Sequence, residues 1–108
     1  MNATPDSLLL EALSLTEQMR DHARNADWDA LARLEHQRGG LLESCFTRHT
    51  RFQDRDLATR NIRKLLEMDR AILDLGKAHR AELATELDQL QHARHATRAY
   101  ATNRRMSA

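Results

Sequence analysis

The chain has 108 residues, 41% of them hydrophobic and only 4% aromatic, with three glycines and one proline. That length sets a ceiling of one domain, and so few turn-forming residues favour long helices with a core of Leu and Ala. Seventeen basic residues, 15 of them Arg, against 16 acidic ones give a net charge of +1, which excludes a general nucleic-acid binder.

The first helix is expected over residues 5–24. Thr4 can cap it, Pro5 suits its first position, and Asp6 favours the positive end of the helix dipole. Leu8, Leu9, Ala12, Leu13, Thr16, Met19 and Ala23 recur at spacings of three and four, with Leu10 and Leu15 widening the apolar face. A break at residues 25–27 leads into a second helix over 27–48, capped by Asn25 or Asp27 and antiparallel to the first because the link is short. Its stripe is Trp28, Leu31, Leu34, Arg38, Leu41, Leu42, Cys45 and Phe46. Gly39 and Gly40 interrupt the helix interior, and close backbone packing is the expected reason.

Residues 47–55 are polar and basic apart from Phe52 and form the second connection. The third helix is expected over 55–100, started by Asp54 or Asp56, with 101–108 a flexible tail. Leu57, Ile62, Leu65, Leu66, Ile72, Leu73 and Leu75 form its first apolar run, and after Gly76 the face resumes at Leu83, Leu87 and Leu90. A helix of that extent is roughly 68 Å long, about twice either predecessor. The fold expected is all-α: an antiparallel three-helix bundle whose third helix overhangs, continuous through Gly76 in the favoured reading, the alternatives being a kink, a close contact or a fold-back hinge there. Leucines left wet in the overhang forgo about 1.5 to 3 kcal/mol each and so call for a partner.

Charge alternates along the chain, from −4 over residues 1–46 to +4 over 47–64, −3 over 65–90 and +4 over 91–108. The pattern can steer a partner and motivates a nucleic-acid regulator as the third-ranked function, though direct nucleic-acid binding is not expected. Cys45 is the sole cysteine, so an internal disulfide is impossible and a reducing compartment is the easier reading. The longest apolar run near the start, Leu8 to Leu10, fits neither a signal peptide nor a membrane span, so a cytoplasmic protein without membrane insertion is expected.

Candidate chemistry is sparse. His92 and His95 share a helical face, but two ligands make a poor metal site, and neither a metal nor a cofactor is expected. Cys45 with His49 one turn away is too thin a pair for a nucleophile, and no phosphate loop or serine elbow occurs. An enzyme is not expected. Trp28 reads as core, whereas Tyr100, among Ala, Thr and Arg, reads as a contact residue or as packed on a dimer mate.

The block from Ala26 to Glu35 (Ala-Asp-Trp-Asp-Ala-Leu-Ala-Arg-Leu-Glu), followed by Arg38 and Leu41-Leu42, resembles the FliT family of flagellar export chaperones. So does a second stretch with Ile62, Leu65-Leu66, Asp69, Ile72, Leu75, Arg80, Glu82-Leu83, Leu87, Leu90 and Ala99-Tyr100, so the resemblance covers residues 8–100. It implies a small helical chaperone that binds the C-terminal helical region of the filament cap protein. It also implies docking with the export gate and export ATPase of the flagellar type III apparatus and, in some members, restraint of the flagellar master transcription activator. The family's groove between its second and third helices maps to Leu34, Leu41, Leu42, Leu66, Leu73 and Leu83, with Leu87 and Leu90 continuing the row, and its export-gate tyrosine maps to Tyr100. Only eight residues follow Tyr100, without an amphipathic final helix, so autoinhibition by such a helix is not carried over. The alternative reading of the same stripe is a structural homodimer whose overhanging helices pair.

Overall fold

A computed structural model of the chain describes residues 3–107, with side chains through Met106. Three helices follow in order: α1 (Pro5–Arg24), α2 (Trp28–Cys45) and α3 (Arg55–Ser107). By contacts the chain divides into two compact units, Met1–Gly76 and Lys77–Ala108.

The first unit is a bundle of α1, α2 and the first part of α3. Its core forms two apolar clusters. One joins Leu9, Ala12 and Leu13 to Cys45, Ala58 and Leu65, with Leu41, Leu42, Phe52 and Ile62 packed around them. The other joins Met19, Ala23 and Leu31, with Trp28, Leu34, Ile72 and Leu75 around them. The start of α1 thus meets the end of α2 and the start of α3, while the end of α1 meets the start of α2. That ordering makes successive helices antiparallel, as the short links require.

Between the two clusters lies a polar layer drawn from all three helices. The Arg38 guanidinium of α2 pairs with the Asp69 carboxylate of α3 at 2.5 Å and donates to Thr16 Oγ1 of α1 at 3.1 Å. Thr16, fully buried, in turn donates to the Ala12 carbonyl at 2.7 Å. The Arg38 side chain is 13% exposed and that of Asp69 36%, so the ion pair has lost water on one side only.

The termini follow local chemistry. Thr4 and Ser7 form a reciprocal capping box at the start of α1. At its end Ala26 adopts φ 56°, with its N–H donating to Ala23 O and that of Asp27 to His22 O. This is a Schellman closure carrying Ala where Gly is usual. Asp27 then caps α2 through Ala30 N–H, and Asp54 caps α3 through Leu57 N–H. Asp6 accepts from the backbone N–H groups of Gln53 and Asp54, tying the second connection to the start of α1.

Several expectations need correction. The second helix stops at Cys45, three residues before residue 48, because Thr50 Oγ1 takes the Cys45 carbonyl and a Thr47–Thr50 turn leads the chain away. Gly39 and Gly40 are not at a close approach: both are exposed, and an added Cβ would meet nothing within 4 Å. Leu10 does not widen the buried face, being 51% exposed. The third helix continues past residue 100 to Ser107, since nothing in that stretch breaks a helix and Arg104 and Arg105 favour its C-terminal end. Gly76 lies within the helical run, with no positive φ.

Two outcomes are expected in urea denaturation. Gly40→Ala, which removes helix-interior glycine, and Ala26→Gly, which relieves the left-handed position, should each stabilise the protein by about 0.5 to 1 kcal/mol. Asp69→Ala, leaving Arg38 unpaired beside the core, should cost about 2 kcal/mol, while Arg38→Met combined with Asp69→Ala should recover part of that loss. Additive effects in that double-mutant cycle would show that the pair contributes no coupling.

Candidate partner-binding surface

The nine residues expected to touch partners fall into distinct environments. In the first unit, Leu41 and Leu42 are half-buried against the cluster around Leu9 and Cys45, and Leu34 is half-buried against that around Met19. These three lend much of their surface to the core. Leu66 and Leu73 are different, at 60% and 52% exposed, one heptad apart on α3. The inward positions Leu65 and Ile72 immediately precede them, so Leu66 and Leu73 lie on the flank of the helix.

Among the described residues the second unit is a single stretch of helix. Every residue from Ala81 to Met106 is exposed, including Leu83 (49%), Leu87 (57%), Leu90 (64%) and Tyr100 (65%). The stretch is rich in Ala, Glu, Leu, Gln and Arg, all good helix formers. The Thr85 and Thr97 hydroxyls donate to the carbonyls four residues back, at 3.0 and 2.9 Å, which satisfies them within the helix. Arg104 lies over the Tyr100 ring, 5.7 Å from its centroid, a cation–π contact along one face of the helix. Leu83, Leu87 and Leu90, at spacings of four and three, make one apolar row. Leu87 and Leu90 run on into a shallow patch with Ala93, Arg94, Thr97 and Arg98.

Sequence periodicity missed a second apolar spot, where Leu10 and Leu57 border a small recess with Asp6, Ala58 and Asn61. Each adjoins a buried residue in the sequence, Leu9 or Ala58, and periodicity alone counts such neighbours as core. Phe46 and Met106 are further exposed apolar residues. Phe46 meets Phe52 edge-on with ring centroids 5.9 Å apart. Trp28 packs against the Met19 cluster, as a core reading requires.

The titratable groups are dispersed. Among the described residues no group of three His, Cys, Asp or Glu side chains is placed to hold a metal ion. His92 Nδ1 lies 3.7 Å from Asp88 Oδ1 and 3.0 Å from the Asp88 carbonyl oxygen. His49 sits in the Thr47–Thr50 turn, its backbone N–H on Thr47 Oγ1. Cys45 is fully buried and donates to the Pro5 carbonyl at 3.4 Å. Burial, and secondarily the nearby Asp6 carboxylate, push its thiol pKa up, the opposite of what activates a nucleophile. No described helix is long and apolar enough to cross a membrane.

The raised thiol pKa fixes the sign of a pH effect. Below the ordinary thiol value of 9.0 both folded and unfolded chains hold the proton, so stability is unaffected there. As pH rises past that value the unfolded chain releases the proton first, and stability should fall until the folded thiol also ionises. Urea titrations at neutral and alkaline pH should therefore show a shallower alkaline loss in Cys45→Ala than in the parent. Equal slopes would contradict the buried-thiol assignment.

Known proteins add one decisive finding. The family model described as "Flagellar protein FliT" matches residues 7–103. No curated protein and no solved structure matches the chain. With nearly the whole chain matched and a three-helix bundle in place, the protein belongs to the FliT family, which implies a flagellar export chaperone role.

Proposed function

We propose that this chain is a cytoplasmic chaperone of flagellar type III export, holding the C-terminal helical region of the filament cap protein on the Leu83–Leu87–Leu90 row. The observation that carries the reading is that row, each leucine about half to two thirds exposed in a chain that belongs to a chaperone family. Covering the remaining surface of each leucine is worth about 1 to 2 kcal/mol, enough in sum to hold an amphipathic helix reversibly. Leu66 and Leu73 give the first unit its own exposed contact positions. Leu34, Leu41 and Leu42, held in place by packing against the core, offer the client their remaining exposed surface. Tyr100, exposed beside Arg104, is the contact for the export gate.

A homodimer is the second reading, favoured by the same uncovered row, because a second copy would also remove it from water. Sedimentation at micromolar concentration separates the two: a monomer that binds the cap-protein helix supports the chaperone, and a stable dimer that does not bind it supports the homodimer.

Leu83→Asp and Leu87→Asp should each weaken binding of a cap-protein C-terminal peptide by about a hundredfold, as read by calorimetry. The urea stability of the bundle should stay unchanged, because neither side chain touches the core. Undiminished affinity in both variants would remove the row as the binding surface.

A further inference from the structure

The apolar row is continuous with a cationic end that its own helix does not neutralise. Residues 91–108 hold Arg94, Arg98, Arg104 and Arg105 and no acid. Arg104 lies over Tyr100, and Arg104 and Arg105 occupy the last turn, where the helix dipole favours positive charge. Arg94 and Arg98 have neither arrangement. They stand about two and a half to three and a half turns before the helix end, beyond the dipole's short reach, and among the described residues no carboxylate pairs with them. Both line the patch that Leu87 and Leu90 open. Asp88, the nearest acid in sequence, sits beside His92.

We infer that the occupant of the Leu83–Leu87–Leu90 row is an amphipathic helix with acidic side chains beyond one end of its apolar stripe, placed to meet Arg94 and Arg98. This rests on reading the row as the client site and specifies the client's chemistry and register. At 1.5 Å rise per residue, Arg94 and Arg98 lie about 6 and 12 Å beyond Leu90 along the axis. The matching carboxylates on the client fall one to two turns past its last apolar contact. At the other end Glu82 and Glu86 flank Leu83 while Lys77 and Arg80 stand one to two turns before it, so the charge there is mixed and calls for neither sign on the client. Mixed charge at one end and only arginine at the other favour one direction for the client and disfavour a one-turn slip, which leucine contacts alone tolerate.

The same charges weigh against a second copy on the row. In a parallel pair every acid meets its own counterpart and every arginine likewise. In an antiparallel pair with Leu83 over Leu90, the acidic bands from Glu82 to Asp88 overlap, and Arg94 falls beside Arg80. Both arrangements place like charges together.

Two synthetic helical peptides test the inference on the full chain. They share leucines at spacings of four and three and differ only in carrying Glu or Lys one and two turns past the stripe. At low salt the Glu peptide should bind about tenfold more tightly than the Lys peptide, and the difference should shrink as salt is raised. Arg94→Glu combined with Arg98→Glu should reverse the preference, while Leu87→Asp should weaken both peptides. Equal affinity of the two peptides, or a preference untouched by the double substitution, would overturn the acidic-end assignment and leave the leucine row standing. If a cap-protein peptide fails to bind while the Glu preference holds, the client's identity falls and its chemistry stands. Dimerisation that blocks both peptides would overturn the inference in favour of a second copy.

Discussion

The bundle turns on one polar layer. Arg38 reaches from α2 to Asp69 on α3 and to Thr16 on α1, between the cluster around Leu9 and Cys45 and the cluster around Met19 and Leu31. Leucine and alanine surfaces slide against one another with little penalty, so an apolar core alone leaves helix register weakly set. A guanidinium with one carboxylate and one hydroxyl in reach has a single satisfied arrangement. A shift of one turn, about 5.4 Å, would strand Arg38 without Asp69. Register is what determines which α3 leucines are covered and which remain open.

With that register fixed, neighbouring leucines take opposite roles. Leu65 is buried and Leu66 exposed; Ile72 packs on the core while Leu73 faces outward. Beyond Gly76 no residue from Ala81 to Met106 is covered, so Leu83, Leu87 and Leu90 contribute nothing to the stability of the bundle. A helix that stands without packing depends on local propensity and i,i+4 contacts, which are marginal by themselves. Such a segment suits reversible capture, because the apolar surface lost from water on binding is surface that folding never used.

The sequence made the helices and most of the core legible, because periods of three and four reveal one face directly. Thr4, Pro5 and Asp6 marked the first helix start, and Asp54 was one of two caps named for the third. Arg38 stood on the apolar stripe, but its partner Asp69 lies 31 positions away, and no local pattern announces a contact of that separation. Gly39 and Gly40 misled, since a glycine pair looks the same at a close approach and on an open face. Ala26 gave no sign of its left-handed backbone, because alanine rarely adopts it. For the surface, the length of the third helix makes Leu83, Leu87 and Leu90 legible as surplus, and the Ala, Thr and Arg around Tyr100 make it legible as a contact residue. Leu34, Leu41 and Leu42 were not separable from Leu66 and Leu73, since periodicity places a residue near a face without saying how deeply a third helix covers it.

The division of labour between a packed bundle and an uncovered helical row is tested most directly by native-state hydrogen exchange with and without a cap-protein C-terminal peptide. In the free chain, amides of α1, α2 and residues 58–75 should exchange slowly, at rates set by global unfolding, while those of residues 81–106 should exchange rapidly through local opening. The peptide should slow exchange around Leu83–Leu90 and leave the bundle amides nearly unchanged. Slow exchange across residues 81–106 in the free monomer, or protection on binding confined to the bundle, would contradict the account.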